Sequence, residues 1–294
     1  MNETELPADA EGRLRNGITQ APVDSGQPVI VDYSGFTKRL NDPRRTRWRL
    51  LEEFQREWGH CETLGTQRQT GSREAVGTTP AALREWLESP CNAVTQAPEL
   101  FDVQWLLPPS ELTPETPVHA DDVPADALLH VFLAEGQGCN YWAYPASHAS
   151  RPDPAVLVDD DPDGDGPAWF QQSRSISEFA LQLSAMHLPR KLGWVAGKPT
   201  IRPDTVARVA AAFPTMGFLP WREMAQHTKL YGARDAIVYV DHSRSPHREF
   251  DSDFPQLEIA ARTQKALLDA GRALGLEWHD DEIGPPPEPR RRTG

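Results

Sequence analysis

The loop Asp161-Pro162-Asp163-Gly164-Asp165-Gly166 matches the first six positions of a calcium-binding loop, D-x-D-x-D-G. Such a loop closes its coordination sphere with a bidentate glutamate at the twelfth position, and Gln172 stands there. A neutral amide supplies one oxygen and no charge. Pro162 is awkward at the second position, and no clear helix enters the loop. The expectation is an acidic, solvated loop that holds no metal, in a chain with no cofactor.

Other chemistry-bearing residues fall short for comparable reasons. Glu135-Gly136-Gln137-Gly138 is not followed by Lys-Ser or Lys-Thr, and it joins two extended runs, so it is not a phosphate loop. No Gly-x-Ser-x-Gly elbow occurs. Cys61, Cys91 and Cys139 are odd in number and far apart. That argues against zinc and against a disulfide framework, and it points to a reducing, cytoplasmic setting. Cys139 with His130 lacks a third group to orient the base. His242 and His247 flank Ser245-Pro246 in an expected loop, and His119 stands near Asp121 and Asp122. No nucleophile, base and charge stabiliser assemble from these, so the sequence predicts a protein that is not an enzyme and has no catalytic residues.

Charge narrows the partners. Against 43 acidic residues stand 30 Lys and Arg, a net charge of −13. Such a surface repels nucleic acid and anionic membrane and attracts a basic protein. No apolar run is long enough to span a bilayer, and the acidic start Met1-Asn2-Glu3-Thr4-Glu5 is unlike a secretory leader.

The elements follow from period and punctuation. Leu128 to Leu133 and Cys139 to Tyr144 are extended runs around a Gly-rich turn, a β-hairpin. Asp153 to Val158 predicts a further strand. Ser175 predicts a helix N-cap with Glu178 three residues on, and Phe179, Leu183 and Met186 then share one face. Upstream, Trp48, Leu51, Phe54 and Trp58 fall at helical spacing, and Thr79-Pro80 predicts the cap and first position of a second helix. Phe101 to Leu107 predicts a strand, and Pro117 to Asp126 a linker. Residues 186–203 are expected to be largely loop, followed by a helix from Asp204. Strands around Thr228–Tyr231 and Asp235–Val240 are expected about a turn at Gly232–Asp235. A strand near Leu257 and a helix from Thr263, stopped by Gly275, complete the chain.

The order of these parts resembles the SUKH superfamily, the Smi/Knr-type proteins. The residues that carry the resemblance are Glu135, Gln137, Gly138, Trp142, Asp153, Pro154, Val156, Trp169, Ser175, Ser177, Glu178 and Phe179. Gly136 and Ala155 depart from the family pattern, which usually has Asn and Pro there. The resemblance implies an α+β fold with a curved, mainly antiparallel sheet flanked by helices. It places a core at residues 31–190 and a strand–strand–helix extension of the same domain at 191–283. Residues 1–30 and 284–294 are expected to be disordered. Bacterial members, actinobacterial ones included, are commonly immunity proteins that bind and neutralise a nuclease- or deaminase-type domain of a polymorphic toxin. The alternative within the superfamily is a regulatory scaffold linked to cell-wall assembly or signalling, without a toxin. From charge and aromatic content, the expected partner-binding residues are Glu135, Tyr141, Tyr144, Asp159, Asp160, Asp161, Asp163 and Asp165.

Overall fold

A computed structural model describes residues 30–41, 47–59, 79–89, 92, 94, 100–101, 104–160, 169–223, 226–243 and 255–286. Most of the two expected disordered ends lies outside these residues. The fold is α+β, with five α-helices and two mainly antiparallel sheets among the described residues.

The first sheet contains β1 (Gln104–Leu112), β2 (Val118–His119), β3 (Leu129–Glu135), β4 (Tyr141–Pro145), β5 (Val156–Asp159) and β6 (Trp169–Ser173). Its order is β1-β3-β4-β5-β6-β2, and only the β2–β6 pair is parallel. The expected hairpin is β3–β4. Its turn has Gly138 at φ 75°, a conformation that glycine adopts without steric cost. Val118–His119, expected within a linker, closes the sheet on β6 instead.

The second sheet contains β7 (Trp194–Lys198), β8 (Trp221–Glu223), β9 (Gln226–Ala233), β10 (Ala236–Ser243), β11 (Gln256–Ala261) and β12 (Ile283–Gly284). Its order is β12-β7-β11-β10-β9-β8. The expected turn between β9 and β10 is present, with Asp235 at φ 53°. The C-terminal part is larger than the strand–strand–helix extension that the sequence suggests: it builds a complete second sheet. Gly284, expected in the tail, is a strand residue.

The helices are α1 (Arg47–Glu57), α2 (Ala81–Glu88), α3 (Ile176–Leu192), α4 (Pro203–Ala212) and α5 (Gln264–Ala273). Helix α3 decides the architecture. Every residue from Ile176 to Pro189 is buried, and the helix touches α1, α2, β6, β7 and β11. A helix buried on all sides must have neighbours on all sides. One apolar cluster accordingly runs from Phe132, Trp142 and Val158 of the first sheet, through Phe179 and Leu183, to Ile237 and Tyr239 of the second. Phe179 lies 5.8 Å from Trp221 and 5.7 Å from Phe132, and Trp142 stacks on Trp221 at 5.5 Å. Both sheets are covered on their far faces too. Val209, Leu267 and Ala270 of α4 and α5 pack on the second sheet, while Val123, from the connection after β2, joins Leu157 and Trp169 on the outer face of the first.

The start of α3 explains several residues of the family-like pattern. Ser175 Oγ accepts from the Glu178 amide at 3.1 Å. Asp153 accepts from both the amide (3.0 Å) and the hydroxyl (2.6 Å) of Ser177. Two otherwise orphaned N–H groups are satisfied, and a carboxylate sits at the positive end of the helix. The Glu178 side chain turns to Arg174 at 2.8 Å, so the capping box is half formed. Thr79 does not cap α2, which begins at Ala81 and has no side-chain cap.

The end of α3 overturns the expected loop over residues 186–203, which contains the last turns of α3, then β7, then the start of α4. Pro189 stands inside the helix, where it cannot donate to the Ala185 carbonyl four residues earlier. The hydroxyl of Tyr239, from β10, donates to that carbonyl at 2.7 Å. A tyrosine of the second sheet thus supplies the hydrogen bond that the proline removes.

Helix α3 is open to two tests. Tyr239→Phe leaves the Ala185 carbonyl buried and unpaired, and should destabilise the fold by about 1–3 kcal/mol in a denaturant titration. In a Pro189→Ala background the same change should cost less, because alanine returns an N–H donor at that position; equal costs would disprove the compensation. The second test concerns Glu178. Burial raises its carboxyl above the usual range, with Arg174 opposing. A raised acid favours folding at low pH, and that contribution is lost as pH rises from about 4.3, the ordinary glutamate value, through the folded one. Melting temperatures of Glu178→Gln, relative to native protein, should therefore improve between about pH 4 and about pH 7.

Candidate functional site

The expected partner-binding residues do not share one surface. Glu135 is 2% exposed, and its carboxylate accepts from the amides of Gln137 (2.8 Å) and Cys139 (3.3 Å). It builds the β3–β4 turn. Tyr144 is fully buried, its ring 5.3 Å from His130, and burial pushes its hydroxyl up to about 12. Neither side chain presents to a partner, because both faces of this sheet are covered. Tyr141 is half-buried at the rim of the outer cluster. Asp159 is half-buried at the end of β5, where its carbonyl accepts from the Asn140 side chain. Asp161, Asp163 and Asp165 lie outside the described residues.

Asp160 has a different role from the one expected. Its side chain is 8% exposed, and its Oδ2 lies 2.8 Å from both Arg222 Nη1 and His227 Nε2. Those two nitrogens are themselves 2.8 Å apart. The Arg222 guanidinium also lies 4.2 Å above the Phe170 ring, which stacks on His119 at 5.4 Å. Asp160 follows β5 of the first sheet, whereas Arg222 and His227 belong to β8 and β9 of the second. The register places Arg222 opposite His227, and His227 opposite His242. His242 is therefore a strand residue, not a loop residue; His247 lies outside the described residues.

A buried carboxylate needs partners, and here it has a guanidinium and an imidazole. The Nε2 of His227 cannot both donate to Asp160 and accept from Arg222, so one tautomer or one proton decides which contact is the hydrogen bond. An Asp–His pair can orient a base, but the side chains at His227 Nε2 are Asp160 and Arg222, and neither is a nucleophile. As built, the trio is an ionic link between two sheets.

Two glutamines reinforce the link. Gln172 on β6 accepts from the Arg222 amide at 3.0 Å, and its Nε2 donates to the carbonyl of Pro220 (3.2 Å) and to Gln182 Oε1 (3.1 Å). Gln182 on α3 donates to the Leu219 carbonyl at 2.7 Å. The residue at the would-be twelfth calcium position is thus committed to the backbone of the neighbouring sheet. Among the described residues, no group of three or more His, Cys, Asp or Glu could hold a metal ion. His130 faces Tyr144 along the β3–β4 register, while Cys139 lies at the turn, so the two do not form a pair.

The trio escapes sequence inspection, since Asp160 is separated from its partners by 62 and 67 residues. The His227–His242 pairing was accessible: counting outward from the turn at Arg234-Asp235 brings the two together. Comparisons with protein-family models, with curated proteins and with solved structures find no match for this chain.

Arg222→Ala should strand Asp160 as a buried charge without its guanidinium. The expected loss is about 3 kcal/mol in a denaturant titration, and most of it should return in the Arg222→Ala, Asp160→Asn double variant. A single variant of native stability would show that the link is not structural.

Proposed function

We propose that this chain is a non-enzymatic protein-binding module of the SUKH type. On this reading it acts as an immunity protein, holding and neutralising a basic toxin domain of nuclease or deaminase type. The observation that carries the proposal is the excess of acid, 43 acidic residues against 30 Lys and Arg. A domain that grips phosphate is basic at its active surface, and an acidic partner pairs with that surface and speeds encounter. Further support comes from the Asp160–Arg222–His227 trio, whose charged groups are engaged with one another. No helix among the described residues is long and apolar enough to cross a membrane. The regulatory-scaffold alternative has no observation of its own in its favour.

If a neighbouring gene encodes a candidate toxin domain, co-expression with it should restore growth and yield a co-purifying pair. Lack of both rescue and co-purification would remove the proposal. Within such a pair, charge reversal at Asp159, Asp161, Asp163 and Asp165 should slow association and flatten its dependence on salt. Asp160 is left out of that set, because its replacement would break the link between the sheets.

A further inference from the structure

Since Glu135 and Tyr144 are buried, a docking surface has to be sought elsewhere. The edge of the first sheet at β1 differs from the rest of the molecule in three respects. First, β1 pairs only with β3, so among the described residues its other side is an open strand edge. Such an edge offers unpaired backbone donors and acceptors to an incoming extended chain. Pro108 and Pro109 lie at the register shift between Leu106 and Ser110, which divides β1 into two regular runs, Gln104–Leu106 and Ser110–Leu112.

Second, the latter run ends at an exposed apolar corner. Leu112 and Leu128 are each 38% exposed, two of the four large apolar side chains exposed among the described residues. Leu112 stands opposite Leu129, so Leu128 is the next residue along the neighbouring chain. Third, the segment that carries both leucines, residues 111–128, contains Glu111, Glu115, Asp121, Asp122 and Asp126, with no Lys or Arg. All five carboxylates are exposed. Arg151 is paired with Asp122 at 2.8 Å, and the other four have no ion pair within the described residues.

We infer that the open edge at Ser110–Leu112, with the exposed side chain of Leu112, docks an extended cationic segment of the basic partner in which Lys or Arg alternates with apolar residues. The inference rests on the proposed function for its partner and adds where and how that partner is held. Alternation follows from the geometry of an added strand, which sends successive side chains to opposite faces. The apolar residues of the segment would lie on the face of Leu112, while its cations take the face of Glu111 and meet the surrounding carboxylates. The carboxylates account for the sign of the partner, and Leu112 and the free edge account for its form.

The test uses the full chain and two short peptides, one alternating lysine with leucine and one alternating lysine with serine. Hydrogen exchange read by mass spectrometry should show new protection over residues 104–112 with the lysine–leucine peptide. Fluorescence anisotropy should give an affinity at least about tenfold weaker for the lysine–serine peptide, and a similar loss for the variant Leu112→Gln. Leu112 is exposed, so this variant should melt with the native protein, which circular dichroism checks. Equal binding of the two peptides, unchanged affinity of the variant, or protection elsewhere would each overturn the inference. Failure of toxin co-purification alongside intact peptide docking would remove the proposed function and leave this surface standing. A toxin captured undiminished by the variant would do the reverse.

Discussion

The buried helix α3 is the constraint from which the rest of this structure follows. An amphipathic helix can lie on one sheet with its other face in water, but a helix with no solvent face needs two layers. The chain supplies a sheet on each side, with α1 and α2 filling the remaining space. Burial on all sides also makes every polar group of the helix costly unless it is bonded. Ser177 and Glu178 are met by Asp153 and Arg174, Gln182 by Leu219, and Ser184 by Gln55 at 3.4 Å. Even the carbonyl freed by Pro189 is satisfied, from across the core.

Sheet-to-sheet contact is therefore partly direct and partly routed through α3. Aromatic stacking of Trp142 on Trp221 is direct, as is the Asp160–Arg222–His227 link. The two glutamines do both, since Gln172 joins β6 to β8 and Gln182 joins the helix to the same short backbone run. Residues 219–222 are thus held by side-chain amides from two different elements. The same arrangement removes Gln172 and Asp160 from roles that their position beside an acidic loop would suggest.

Local chemistry was legible in the sequence, and long-range placement was not. The β3–β4 hairpin announces itself through the glycines around Gln137, and Ser175 caps its helix as its type and spacing require. The length of α3 was hidden for the reason that makes it central. A helix buried on every side has no polar stripe, so its period fades after Met186, and Pro189 then reads as a stop. Charge and aromatic content assign Glu135 and Tyr144 to a partner-facing surface, which presumes a sheet face open to water. Here all seven residues of β3 are buried, and that expectation does not hold. The second sheet was visible only in its strongest strands, because β7 and β8 are short and owe their conformation to partners distant in sequence.

One consequence concerns the chain as a unit of inheritance. A helix whose circumference is shared by two sheets and two helices cannot be assigned to either sheet. Cutting the gene anywhere between them would leave one half with an uncovered apolar wall and the other with a bare helix. Neither half could be shuffled into another gene as a self-sufficient module, so the region from Val31 onward passes between lineages whole or not at all.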